Sequence, residues 1–233
     1  ILRSSRSKRF FKFKHRKSAY ENLKKHNIDK IVVLGGDGSF RALNRFYKDF
    51  GIRFVGIPST IDNDIYGTEY CLGVDTALNI IRSSIDAMID TSSSFNRACV
   101  IETMGRDCGY LALVSAIACG ADVCIINEAQ YNLQSLSKKL KKRLKKDKSY
   151  IVCISSEGSK MTKKLVKWLN NDVKIETRAT ILGHIQRGGN PTVTDRLMAA
   201  EFVKYAVDKL LSNNQNEGLI VVSKNSKFEF ITI

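Results

Sequence analysis

The chain has 233 residues, 43% of them hydrophobic, and a formal net charge of +15. That length holds one large α/β unit or two small domains, and no apolar run approaches the roughly 18 residues of a membrane span. The basic N-terminus lacks the apolar core and cleavage site of a secretory signal. The six cysteines show no C-x-x-C pairing, and Cys99, Cys124 and Cys153 fall inside apolar strand-like runs. Reduced, buried thiols in a cytoplasmic protein are the simplest account.

The positive charge concentrates in Arg3–Lys17 and Lys138–Lys148. Arg9-Phe-Phe-Lys-Phe-Lys14 interleaves aromatics with cations, as a single-strand binder does. The alternative is a lysine-rich solvated surface. Leu140 and Leu144, four apart, make the second run an amphipathic helix with a charged outer face. The solvated reading is preferred for both runs, so no nucleic-acid partner is expected.

In chain order, no strand is expected over residues 1–17, and a helix is expected over Ala19–Asn27. Ile31–Leu34 is a short β-branched run that reads as a buried strand. Gly35-Gly-Asp-Gly-Ser39 follows at once, then a helix from about Phe40 to Tyr47. Strand, glycine turn and helix start suit an anion, because backbone N–H groups approach it closely at a helix N-terminus. Asp37 would repel a phosphate unless Mg²⁺ bridged the two. The turn is neither a Walker A loop nor a dinucleotide fingerprint.

Ile52–Ile57 is the next strand, ended by Pro58, and its exit presents Thr60, Asp62 and Asp64. In an open parallel sheet, ligands gather outside the carboxyl ends of the strands. The stretch fits either a polar turn or a general base beside a metal-associated carboxylate. A long helix over Val74–Asp90 follows, then a strand at Ala98–Glu102 and a second glycine turn, Thr103–Gly109, carrying Arg106. Next come a helix Tyr110–Cys119, a strand Asp122–Ile126, a helix Leu133–Lys146 and a strand Tyr150–Ile154 with Glu157 at its exit. A helix over Lys160–Leu169 leads to Thr177–Gly189, a strand running into a loop with His184 and Arg187. A last helix ends near Leu211, and Gly218–Ser223 is the final strand. Alternation of strand and helix predicts a doubly wound α/β protein with parallel sheets. Carboxylates, a metal and several arginines together form a phosphoryl-transfer toolkit.

These segments resemble the phosphofructokinase family, most of all its bacterial ATP-dependent 6-phosphofructokinases. The matching pieces are GGDGS at Gly35–Ser39, PSTIDND at Pro58–Asp64, ETMGRDCGYLA at Glu102–Ala112, SEGS at Ser156–Ser159 and ETRATILGHIQRGGNP at Glu176–Pro191. The resemblance implies ATP-dependent phosphorylation of fructose 6-phosphate at its 1-hydroxyl, a step of glycolysis. It implies two interleaved Rossmann-like domains. Residues 1–73 with 186–233 would bind nucleotide and Mg²⁺, and residues 74–185 would bind the sugar phosphate. Asp62 would be the catalytic base. Thr60, Ile61, Met104, Gly105, Arg106, Glu157, His184, Ile185, Gln186 and Arg187 would contact the sugar phosphate. Arg97 and Arg178 would reach into a neighbour's site, which implies a homo-oligomer, most simply a tetramer. Arg6, Ser7, Gly36, Asp37, Gly38 and Ser39 would hold the nucleotide, with Asp37, and Asp64 beside it, toward Mg²⁺. Gly38 and Ser59 stand where pyrophosphate-using members carry Asp and Lys, which favours ATP.

The family usually begins with an apolar strand and another glycine-rich loop, and it continues past Ile233 with a helix. Relative to it the sequence reads as N-terminally truncated, with an incomplete nucleotide domain. Glu128, Lys146 and Lys148 match effector-type positions, whereas Ile89 stands where regulated members carry a basic residue, a mixed expectation for allosteric control. Beside the leading reading stand a pyrophosphate-dependent enzyme and a non-catalytic remnant that binds sugar phosphate.

Overall fold

Short β-branched runs bounded by glycine and proline make the strands, and amphipathic segments between them cover the sheets. A computed structural model describes residues 7–146, 149–212 and 218–233. They form two units: the described residues of Ile1–Thr60, Ile65–Leu72 and Arg196–Ile233, and those of Ile61–Asp64 and Gly73–Asp195.

The first unit holds a four-stranded sheet of β1 (Lys30–Gly35), β2 (Arg53–Pro58), β7 (Leu219–Lys224) and β8 (Lys227–Thr232), in that order. β1, β2 and β7 run parallel, with Val33 opposite Gly56 and Val55 opposite Leu219. β8 is antiparallel to β7, a departure from the all-parallel expectation. Asn225 (φ 49°) and Ser226 (φ 59°) are both left-handed, the geometry of a two-residue hairpin turn. α1 (Phe13–Lys25) begins six residues before the expected Ala19. Its one buried residue, Arg16, donates to Asp49 Oδ2 and to the carbonyls of Phe10 and Phe11. α2 (Asp37–Phe50) packs on β1 and β2. From α7 (Val193–Leu211), Phe202, Ala206 and Leu210 cover Val55, Ile57, Leu219 and Val221.

Phe40 of α2 packs against Gly56 of β2, where an added Cβ would meet the ring at 2.5 Å. Gly56→Ala is expected to cost about 1–3 kcal/mol by overpacking, read as a lower urea midpoint at unchanged slope.

The second unit holds a sheet of β4 (Val123–Ile125), β5 (Ile151–Ser156), β3 (Ala98–Thr103) and β6 (Thr177–Ile181), in that order and all parallel. α3 (Val74–Ser94) and α4 (Tyr110–Ala118) pack on this sheet, as do α5 (Leu133–Lys146) and α6 (Thr162–Trp168). Val100, Ile125, Leu140, Cys153, Leu165 and Trp168 share one core, and Trp168 Nε1 donates to Ser137 Oγ at 2.8 Å. Leu140 is buried while Lys138, Lys139, Lys141, Lys142 and Lys145 are exposed, the amphipathic pattern expected of α5.

All six cysteines are free thiols. Cys71, Cys99 and Cys153 are buried, whereas Cys124, expected buried, is half-buried. Burial still pushes its thiol up to about 11, so it stays protonated at neutral pH. Among the described residues, no helix is long and apolar enough to cross a membrane.

Candidate functional site

In the first unit, β1 runs into Gly35 and Gly36, and Gly36 is the N-cap of α2. The helix therefore starts at Asp37 rather than near Phe40, and Asp37, Gly38 and Ser39 form its first turn. Gly36 O accepts from Ser39 N at 2.9 Å and from Phe40 N at 3.2 Å. A Cβ on Gly35 would meet Ser39 Oγ at 2.5 Å, so the tight turn requires glycine there. Ser59 N donates to Gly35 O at 2.9 Å, which ties the exit of β2 to this turn. Thr60 lies beside Gly36, whose Cβ position is 3.6 Å from the threonine Cβ.

The amides of Asp37 and Gly38 lie at the start of α2, at the positive end of the helix dipole, where an acidic or phosphate group is stabilised. Asp37 is gripped by Arg41 through Nε at 3.0 Å and Nη2 at 2.8 Å, both side chains being more than half exposed. Such a surface pair contributes about 0–1 kcal/mol, so a stronger cation competes for the carboxylate easily. Gly38 has open space where a Cβ would project. Ser7 is exposed just before a 3-10 turn, Lys8–Phe11, and Arg6 lies outside the described residues.

In the second unit, Ile61–Asp64 meets the loop between β3 and α4. Asp62 is 2% exposed, and Arg106 Nε lies 3.2 Å from its Oδ2. Burial raises the carboxyl above its ordinary value. Arg106 and, less strongly, Arg187 pull it back, and Asp64 and Glu157 add to the rise. Four charged side chains from four segments of this unit thus act on one buried acid.

The loop carrying Arg106 is shaped by its backbone. Gly105 has φ +136° and Arg106 φ +51°, a left-handed conformation in which a non-glycine residue is strained. Glu157 Oε1 accepts from both Gly105 N (3.1 Å) and Arg106 N (2.7 Å). Glycine is required at 158, because a Cβ there would lie 2.1 Å from Arg106 O. Met104 N donates to Gln186 Oε1 at 3.1 Å, and Gln186 Nε2 donates to Gly183 O at 2.9 Å. Gln186, expected among the substrate contacts, is 1% exposed and supports the loop from behind. His184, Ile185 and Arg187 are exposed on the same 3-10 turn, Gly183–Arg187.

Arg97 and Arg178 are not brought to this cluster. Arg97 precedes β3 and Arg178 lies near the start of β6, at the amino ends of strands whose carboxyl ends lead to Arg106 and to the Gly183–Arg187 turn. Both bind Glu176, at 2.9 Å and 3.0 Å, and Arg97 stacks over Phe95. Glu128 donates nothing to the cluster either: its Oε1 accepts from Gly109 N at 2.6 Å, at the start of α4. The side chain of Lys146, and Lys148, lie outside the described residues. Among the described residues, no group of three or more His, Cys, Asp or Glu side chains is placed to share a metal ion. Sequence reasoning missed the structural use of Glu157 and Gln186. The only signal for it was the glycine that follows Glu157.

Doubly wound sheets with charged groups at their strand exits define an α/β protein of the ligand-binding kind. The family model described as phosphofructokinase matches residues 1–210, and the chain belongs to the phosphofructokinase family. It is 56% identical over 225 residues to the ATP-dependent 6-phosphofructokinase of Sulfurimonas denitrificans, covering 96% of this chain and 70% of that protein. It is 53% identical to the ATP-dependent 6-phosphofructokinase of Wolinella succinogenes, covering 100% of this chain and 72% of that protein. Among solved structures, phosphofructokinase from Saccharomyces cerevisiae superposes with a TM-score of 0.94 at 29% identity over 100% of this chain. The match spans 36% of the yeast chain.

Proposed function

We propose that this chain transfers the γ-phosphoryl group of ATP to the 1-hydroxyl of fructose 6-phosphate, giving fructose 1,6-bisphosphate in the cytoplasm. The observation that carries the reading is Asp62, a buried acid with a raised pKa, held against an arginine in a chain so similar to ATP-dependent 6-phosphofructokinases. Asp62 takes the proton of the 1-hydroxyl as its oxygen attacks the γ-phosphorus and the bond to the β-phosphate oxygen breaks, releasing ADP. Burial raises its basicity toward that of a working general base. Arg106, His184 and Arg187 bind the phosphorylated sugar, guanidinium groups forking onto phosphate oxygens. Thr60, Ile61, Met104, Gly105, Ile185 and Glu157 complete the sugar-phosphate side, and Gln186 holds the loop in place.

Arg6, Ser7, Gly36, Gly38 and Ser39 serve the nucleotide. Asp37 suits Mg²⁺ that is also bound by nucleotide phosphates. Mg²⁺ takes one or two carboxylates plus phosphates rather than an all-protein cage, which agrees with a lone carboxylate at a helix start. Asp64 is the second candidate ligand. Bound Mg²⁺ supplies charge neutralisation on the phosphates. Arg97 and Arg178, at the far edge of the sheet from Asp62, are assigned to a neighbouring subunit's site in a homotetramer.

The donor is tested by swapping ATP for pyrophosphate: turnover with ATP and Mg²⁺ supports the reading, and turnover with pyrophosphate alone overturns it. Gly38→Asp sharpens the same test. The space beside Gly38 admits a side chain, and an acid in the first turn of α2 suits the helix dipole, so the variant is expected to fold normally. ATP turnover is expected to fall by about tenfold or more, since an added charge facing a phosphate costs upwards of 1.4 kcal/mol at an effective dielectric near 20.

A further inference from the structure

Asp195 is 5% exposed and lies in the first turn of α7, yet its carboxylate serves a different helix. Oδ1 accepts from Gly73 N at 2.9 Å. Oδ2 accepts from Thr76 N at 2.9 Å and from Thr76 Oγ1 at 2.5 Å. These backbone donors belong to the start of α3, where a helix leaves its N–H groups without intrahelical partners. The N-cap residue is Gly73 (φ +94°), which has no side chain to cap with. The cap is therefore imported, as an anion at the positive end of the helix.

The link is reciprocal. Thr192 Oγ1 donates to Asp75 Oδ2 at 2.5 Å and accepts from Asp195 N at 3.3 Å. Thr192 N donates to Thr76 Oγ1 at 3.2 Å. The starts of α3 and α7 are locked to each other.

α3 in turn touches two of the segments that carry the charged cluster of its unit. The Cβ position of Gly73 lies 3.6 Å from Ile61 Cγ2, one residue before Asp62. Gly189 (φ +93°), two residues after Arg187, would place a Cβ 2.9 Å from Ile80 Cδ1. The turn Gly183–Arg187 packs along α3 as well.

We propose that Asp195 is a positioning residue, whose carboxylate fixes the start of α3 and through it sets Asp62 and the Gly183–Arg187 turn where turnover needs them. The catalytic part of this inference rests on the function proposed above. Asp195→Asn keeps the shape but turns one acceptor into a donor facing N–H groups.

Hydrogen exchange read by mass spectrometry is expected to quicken in Ile61–Asp64 and Gly183–Arg187 of this variant. Ala98–Thr103 and Ile151–Ser156 are expected to stay protected as in the wild type. kcat/KM for fructose 6-phosphate is expected to fall about 10²-fold, the cost of a misplacement near 1 Å, with KM for ATP unchanged. Thr76→Val, which removes only the hydroxyl donor, is expected to move both readouts the same way by less, and Thr76→Ser is expected to restore them. This pair decides the matter if Asp195→Asn does not fold.

Wild-type exchange in both segments together with wild-type kcat and KM overturns the proposal. So does exchange that quickens evenly across the whole unit with kcat per folded molecule unchanged, the mark of a purely structural cap. A wild-type chain without turnover overturns the proposed function instead, and the exchange pattern then decides the positioning claim by itself.

Discussion

Asp62→Asn is expected to lower kcat by about 10²–10⁴-fold, the usual worth of a positioned base, while fructose 6-phosphate still binds measurably. The same variant is expected to be more stable than the wild type at neutral pH. Asp62 is 2% exposed, and its carboxyl is raised above the ordinary 3.8, burial being the largest cause. Between 3.8 and the raised value, the folded chain keeps a proton that the unfolded chain has lost. Stability therefore falls as pH rises through that window, and the contribution is fully present only below it. Asparagine carries no such charge, so the Tm gap between variant and wild type opens as pH rises and closes in acid. Arg106, left without the carboxylate charge, is 55% exposed in its side chain and finds water, which keeps its own loss small. Rate and stability point in opposite directions, as they do where an active group is held at a cost to the fold. Thermal melts at several pH values, paired with steady-state rates, check both. A variant that loses stability at neutral pH contradicts the burial argument, and one that turns over normally contradicts the assignment of the base. For the wild type, the base must be ionised, so kcat is expected to fall in acid with a midpoint above 3.8.

The second large effect is expected at Glu157. Replacing it by Ala leaves the amides of Gly105 and Arg106 without the acceptor that now holds both. Each charge-assisted bond contributes about 1.5–3 kcal/mol, and one such loss already corresponds to tenfold or more. Arg106, at φ +51°, has no intrinsic reason to keep that conformation once the anchor is gone. KM for fructose 6-phosphate is expected to rise by about 10- to 10²-fold, with a smaller rise in Glu157→Gln, which keeps one acceptor oxygen. Calorimetric titration of fructose 6-phosphate against the three proteins separates this loss of binding from a loss of rate. Equal affinities would show that the loop is shaped by something other than Glu157.

Much of this arrangement is legible in the order of residues. Ile31–Leu34 and Ile52–Ile57 read as strands because apolar β-branched runs stop at glycine or proline, and the structure places β1 and β2 there. Strand exits in a parallel sheet share one edge, which is why Arg106 and Glu157, far apart in sequence, were expected at a common end. The hairpin of β7 and β8 was not legible. Its turn is Asn225-Ser226 rather than Asn-Gly, and Phe228 and Phe230 are only half-buried, so neither the turn nor the alternation signals strongly. The early start of α1 was hidden because its inward residue is Arg16, whose partners are fixed only by tertiary contacts with Asp49 and the preceding carbonyls. The bonds of Glu157 and Gln186 to backbone amides were hidden for the same reason. A carboxylate in a motif reads as a ligand to substrate until the loop it holds is seen.

The most direct test of the central claim is phosphorus NMR of the purified chain with fructose 6-phosphate, ATP and Mg²⁺. The account predicts that ADP and a second sugar phosphate at carbon 1 grow together, at a rate that Asp62→Asn lowers by about 10²–10⁴-fold. A folded chain that makes no sugar bisphosphate, or that makes it equally well with Asn at position 62, would contradict it.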